Sequence, residues 1–165
     1  MRILVIEDDY EYFAVLRDDL ETDSELSKHS LDIMSIESER EFLDRFEEIA
    51  EGAFDFVIMD VMVKYEGREP DQRRPSHEVL KGGYYRSGFR CLEKLRQDPR
   101  TRHLRVVVHS NLDEQHMGKL REQHKNDETQ FVPKSGSSAD AESAKDSLLA
   151  VLHSWTAAPA PRATV

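Results

Sequence analysis

Glu7 and Asp8 follow the apolar run Ile3-Leu4-Val5-Ile6, Asp60 ends the run Phe56-Val57-Ile58-Met59, Ser110 follows Arg105 to His109, and Lys134 follows Gln130 to Pro133. Each of these polar side chains therefore stands at the end of a short apolar segment. Three carboxylates brought close together repel one another, and the usual relief is a raised pKa or a bound cation. Oxygen ligands select a hard metal. Glu7, Asp8 and Asp60, with the backbone carbonyl of Met62 and several waters, suit Mg²⁺, which takes few carboxylates and keeps much of its hydration. A cation held there would offset the charge of an incoming phosphoryl group and leave Asp60 to attack phosphorus as a carboxylate nucleophile. Lys134 would then pair with the phosphoryl oxygens, and Ser110 would add a hydrogen bond.

For these residues to meet, the segments that carry them must be parallel strands, because ligands of an open parallel α/β sheet bind beyond the carboxyl ends of the strands. The pattern fits. Apolar runs alternate with segments of helical period, five pairs in all, as expected of α/β architecture. Strands are expected at Arg2 to Ile6, Leu31 to Ile36, Phe54 to Met59, Arg105 to His109 and Gln130 to Pro133. Phe54 to Met59 is nearly continuous in apolar residues, which marks a central strand buried on both faces. Ser38 and Glu41 match a capping box for a helix carrying Phe42, Phe46 and Ile49, and Gly52 suits its end. The last helix carries Ala141, Ala144, Leu148, Val151, Leu152 and Trp155 on one stripe. Asp9 reads as a helix-start acid.

With these residues in place, the chain resembles the receiver domains of two-component response regulators. Ile3 to Asp8 is similar to that family's first strand and acidic pair, and Phe56 to Asp60 to the strand that delivers its phosphoacceptor. Ser110 matches the switch hydroxyl, Lys134 the family's lysine, and Phe131 the switch aromatic three residues before it. The resemblance spans residues 2 to about 155. It implies a flavodoxin-like (βα)5 doubly wound parallel sheet of strand order 2-1-3-4-5, with Asp60 as phosphoacceptor and Mg²⁺ as cofactor. It also implies a sensor histidine kinase or phosphotransfer protein as donor, a downstream protein as target, and a signalling role rather than turnover catalysis. Two departures stand out. No proline follows Asp60 closely, and Pro133 precedes Lys134 where the family usually has proline after its lysine.

Between Asp60 and Gly88 the chain is roughly 20 residues longer than the family's connection, and compact domains seldom keep such loops without use. Lys64 to Arg86 holds six Lys or Arg against four Asp or Glu, a net +2 segment in a chain of formal charge −10. Tyr65, Arg73, Arg74, Tyr84 and Tyr85 are its candidate contacts, either as a lid over the site or as a docking loop. The alternative is a plain surface insertion. The expected organisation is a receiver domain over 1–155 with the insertion at about 64–86, then a tail or linker over 156–165.

Composition narrows the setting. The 165 residues are 38% hydrophobic and 34% charged, a globular balance for one domain. No apolar run approaches the roughly 20 residues that span a bilayer, and the first apolar run stops at Glu7, too soon for a signal peptide. A cytoplasmic protein is expected, without membrane attachment. The net negative charge disfavours nucleic acid, which is bound by neutralising phosphates. The single Cys91 reads as a small buried hydrophobe. His109, His116 and His124 lack zinc-ligand spacing. Two other readings compete: a pseudo-receiver that docks partners without phosphorylation, and a Mg²⁺-dependent phosphatase-like enzyme. The second normally needs Asp-x-Asp on one strand, and here Met62 stands where the second acid would be.

Overall fold

In the computed structural model, residues 1–66, 75, 77–83, 86–134 and 138–157 are described. The elements run β1 (Arg2–Ile6), α1 (Tyr10–Thr22), a 3₁₀ turn (Leu26–Lys28), β2 (Asp32–Ile36), α2 (Glu39–Asp44), α3 (Phe46–Glu51), β3 (Phe56–Met59), α4 (His77–Gly82), α5 (Ser87–Gln97), β4 (Arg105–Ser110), α6 (Glu114–Gln123), β5 (Thr129–Pro133) and α7 (Ser138–Thr156). The five strands form one sheet in the order β2-β1-β3-β4-β5, and every pairing is parallel. This is the flavodoxin-like arrangement that the resemblance implies, built from the alternating strands and helices that the spacing predicts.

Strand alternation divides the core in two. Leu4, Ile6, Val57, Met59, Val106 and Val108 point to one face, where Phe42, Phe46, Leu92, Leu95 and Leu120 of the helices cover them. Ile3, Val5, Phe56, Ile58 and Val107 point to the other, against Leu16, Leu20, Leu148, Leu152 and Trp155. A sheet covered on both faces buries its central strands completely, which is why β3 and β4 contain no exposed position.

Several details depart from the periodicity. The helix expected around Phe42, Phe46 and Ile49 is two helices, broken at Arg45 (φ −103°, ψ 11°). Gly52 does close α3, but with a right-handed φ of −76°, and the positive φ falls on Ala53 (47°). Gly52 is needed for space: a Cβ there would lie 2.6 Å from the Phe54 ring and 2.8 Å from the Glu48 carbonyl oxygen. The insertion is not wholly irregular, since α4 lies within it and buries Val79.

Both ends of the insertion are tied down. The N-terminal amides of α2 lack helical partners, and two of them donate to insertion carbonyls, Glu39 to Lys64 (3.1 Å) and Arg40 to Tyr65 (3.0 Å). Tyr65 is buried, its ring 4.8 Å from the Arg40 guanidinium carbon and its hydroxyl accepting from the same group at 3.0 Å. At the far end Arg90 of α5 donates to the Gly83 carbonyl (3.1 Å) while pairing with buried Glu39. Arg73, Arg74, Tyr84 and Tyr85 lie outside the described residues.

Candidate functional site

The sheet's hydrogen-bond ladder continues one residue past three strands. The Glu7 amide donates to Ile36 O (2.9 Å), Asp60 to Ile6 O (2.9 Å) and Lys134 to Ser110 O (3.0 Å). These bonds fix the backbone of Glu7, Asp60 and Lys134 at one edge, where Ser110 ends β4. The sequence places Glu7, Asp8, Asp60, Ser110 and Lys134 together at this edge; the structure joins Glu7, Asp60, Ser110 and Lys134 by hydrogen bonds, and Asp8 interacts with Asp60 through charge.

Asp60 is buried and both of its carboxylate oxygens are hydrogen-bonded. Oδ1 accepts from the Met62 amide (2.7 Å) and the Ser110 hydroxyl (2.7 Å), and Oδ2 accepts from the Lys134 ammonium (2.6 Å). The same ammonium donates to Glu7 Oε2 (2.6 Å), while Glu7 Oε1 accepts from the Asp9 amide (3.2 Å). Asp9 itself caps α1, accepting from the Glu11 and Tyr12 amides at 3.0 Å each.

The acids at this edge outnumber the buried ammonium. Burial raises the pKa of Glu7, against the pull of Lys134, and the Asp60 charge adds to the rise. Asp8 is half-buried and also raised, first by burial, with the charge and backbone amide of Lys64 opposing and Asp60 reinforcing. Burial alone would lower the Lys134 pKa, but attraction to Asp60 and Glu7 outweighs it and the net shift is upward. Such an edge favours any further positive charge.

Among the described residues no three His, Cys, Asp or Glu side chains form a ready metal cage. The donor chemistry nevertheless fits a hard cation. Asp8 and Asp60 offer only oxygen, and Mg²⁺ completes its octahedron largely with water. Met62 contributes its amide to Asp60 and leaves its side chain exposed. Phe131 is half-buried beside His124, with ring centroids 6.4 Å apart.

Sequence reasoning missed three contributors. Gly88, which the sequence marks only as the far end of the long connection, lets α5 lie directly on the loop that follows β3: a Cβ there would be 2.2 Å from the Asp60 carbonyl oxygen and 2.5 Å from Val61 Cα. Tyr12 places its ring 4.2 Å from the Lys134 ammonium. His109 is buried and joins Tyr12 at 2.5 Å and the Val132 carbonyl at 2.9 Å. The available signals were slight: His109 directly precedes Ser110, and Tyr12 lies in the first turn of the helix after the acidic pair.

Comparison with solved structures gives the same fold. The phosphorylated cyanobacterial phytochrome response regulator RcpA superposes with a TM-score of 0.66 at 14% identity, covering 98% of both chains. The Mn²⁺-bound response regulator Rcp1 gives 0.66 at 14% identity, covering 98% of this chain and 99% of its own. A response regulator receiver domain from Rhodospirillum rubrum gives 0.64 at 16% identity, with each chain wholly covered. No protein-family model and no curated protein matches the sequence. The fold is that of response-regulator receiver domains. Among the described residues no helix is long and apolar enough to cross a membrane.

Proposed function

We propose that this chain is a receiver domain of a phosphorelay, accepting a phosphoryl group on Asp60 from a sensor histidine kinase or phosphotransfer protein and switching a downstream protein partner. The observation that carries this reading is the Asp60 carboxylate held jointly by Lys134, Ser110 and the Met62 amide. Those donors aim an acceptor-only oxygen group at the open edge of the sheet, where a donor's phosphoryl group can arrive.

In the transfer, an Asp60 carboxylate oxygen bonds to phosphorus as the phosphorus–nitrogen bond of the donor phosphohistidine breaks. The electron pair of that bond stays with the imidazole nitrogen. Asp8 and Asp60 would hold a Mg²⁺ ion, with the Met62 carbonyl and with Glu7 beside them, and the bound cation would supply positive charge toward the phosphoryl oxygens. Lys134 exchanges its bond to Asp60 Oδ2 for one to a phosphoryl oxygen, and the Ser110 hydroxyl does likewise. Phe131 follows Ser110 as the second switch position.

The new group carries about −1.5 to −2 charges at neutral pH. Moving these two hydrogen bonds from Asp60 to the phosphoryl oxygens contributes at most roughly 2–4 kcal/mol, whereas inverting a 1:99 equilibrium needs about 5.5 kcal/mol. Phosphorylation therefore shifts the population in part, and a partner that prefers the active form completes the switch. Rcp1 is a Mn²⁺-bound response regulator and the DrrB receiver domain is BeF₃-activated, which supports a divalent cation and a phosphoryl group at the corresponding edge here. The chemistry is confined to the chain's own Asp60, and the setting is the cytoplasm. The domain covers 1–155, with α7 running one residue further to Thr156, and of the expected tail over 156–165 the residues from 158 on lie outside the described ones.

Incubating the protein with Mg²⁺ and acetyl phosphate tests the proposal. The expected result is a mass gain of one phosphoryl group, lost with EDTA and in Asp60→Asn. No gain in the wild-type protein would establish the pseudo-receiver instead.

A further inference from the structure

Lys134 is held from three sides, by Glu7 and Asp60 at 2.6 Å each and by the face of Tyr12 at 4.2 Å. Carboxylates alone fix the distance of an ammonium but leave it free to swing about them, because a lysine head is a rotatable point charge on a flexible stem. The aromatic face closes that freedom. It attracts the cation through the ring quadrupole, and the attraction is strongest where the site is desolvated, as it is here.

The Tyr12 ring is itself fixed. Its hydroxyl meets His109 Nε2 at 2.5 Å, and His109 Nδ1 lies 2.9 Å from the Val132 carbonyl oxygen. A carbonyl oxygen can only accept, so Nδ1 bears the imidazole proton and Nε2 accepts from Tyr12. Val132 is the β5 partner of His109 in the sheet register and lies two residues before Lys134. The contacts thus run in a circuit: from α1 to β4 to β5, and along β5 back to the lysine they hold. Ser110, the other side chain that contacts Asp60, directly follows His109 in that circuit.

We infer that Tyr12 and His109 are positioning residues which form a rigid seat for the Lys134 ammonium, holding it where it meets the phosphoryl group transferred to Asp60. The inference rests on the proposed receiver reading. Neither residue touches the reacting atoms. Their effect is on where Lys134 stands as its bond to Asp60 gives way to one with phosphoryl oxygen, so loss of the seat slows transfer without weakening cation binding.

The full-length protein tests this in two ways. With acetyl phosphate and Mg²⁺, Tyr12→Leu is expected to slow phosphorylation at saturating donor roughly 3- to 30-fold while leaving the half-saturating Mg²⁺ concentration unchanged. Tyr12→Phe, which keeps the ring face, recovers most of the rate, and His109→Leu, which frees the tyrosine hydroxyl, falls between. In the unphosphorylated protein the Lys134 side-chain NH₃⁺ resonance is expected upfield, shifted by the Tyr12 ring current, and moves downfield in Tyr12→Leu. If Tyr12→Leu fails to fold, the resonance and rate in Tyr12→Phe and His109→Leu decide the matter. A wild-type rate in His109→Leu together with an unmoved resonance overturns the seat. A wild-type protein that takes up no phosphoryl group overturns the receiver reading, and with it the role of the seat in transfer.

Discussion

At Asp8 function and stability pull in opposite directions. A carboxyl whose pKa is raised by folding binds protons more tightly in the native state, so its contribution to stability falls as pH climbs through the window from the unfolded value of 3.8 up to the raised native one. Above that window the cost is complete, and Glu7 behaves in the same way. Asp8→Asn should therefore raise the melting temperature of the metal-free protein at neutral pH, by roughly 1–3 °C given partial solvent screening. The gain should vanish below about pH 4. Adding Mg²⁺ should stabilise the wild type and leave the variant unmoved, because only a ligand of the native state shifts the equilibrium. Differential scanning calorimetry across pH with and without Mg²⁺ measures all three effects. An Asp8→Asn protein that melts lower than wild type at neutral pH would refute the account.

The elements show why Asp60 cannot shift alone. Gly88 in the first turn of α5 sits against the Asp60 carbonyl and the Val61 backbone, so the helix and the loop after β3 share one surface with no side chain between them. Gly88→Ala gains up to about 1 kcal/mol of helix propensity but drives a methyl group into backbone that cannot rotate away. Overpacking of that kind costs about 1–3 kcal/mol, and the clash should win. We expect lower stability in urea and slower phosphorylation together, whereas a substitution acting on the helix alone would change only the first. On the same helix, half-buried Arg90 pairs with buried Glu39 at 2.5 Å. Arg90→Met strands the Glu39 carboxylate and should cost about 3–5 kcal/mol, with Glu39→Gln on the same background recovering part of it.

These cases also show what the sequence could reveal. Strands were legible because buried parallel strands are written as apolar runs, and the acids and lysine were legible because each follows such a run directly. The break at Arg45 was hidden because no Gly or Pro marks it and the apolar spacing continues across it. Gly88 carried no local signal, because the close approach it permits lies between segments 28 residues apart in the chain. Tyr12 and His109 lie on α1 and β4, and only the assembled sheet brings their side chains together.

For the molecule as a whole, the open question is what the basic insertion does, and the structure changes how that can be asked. Excising Tyr65 to Tyr85 entire would remove the Tyr65 carbonyl that caps Arg40, the buried Tyr65 ring and the Gly83 carbonyl held by Arg90. Loss of one helix cap alone costs about 0.5–2 kcal/mol, so any functional defect in that deletion would be confounded with instability. The informative variant keeps Lys64 to Glu66 and α4 onward and replaces only residues 67–74, which include Arg73 and Arg74, with a Gly-Ser linker of equal length. Because this replacement keeps the described anchors, the Lys64 and Tyr65 carbonyls and the Gly83 carbonyl, a melting temperature within about 2 °C of wild type is expected and is measured before function is read. If the insertion is a docking loop, that variant should take up phosphoryl groups at the wild-type rate and hold them for the wild-type lifetime, yet lose transfer from its cognate kinase or binding of its target. If it is a lid, the phosphoryl lifetime should shorten even with acetyl phosphate as sole donor. An unchanged lifetime together with unchanged partner binding would leave the segment as a plain surface insertion.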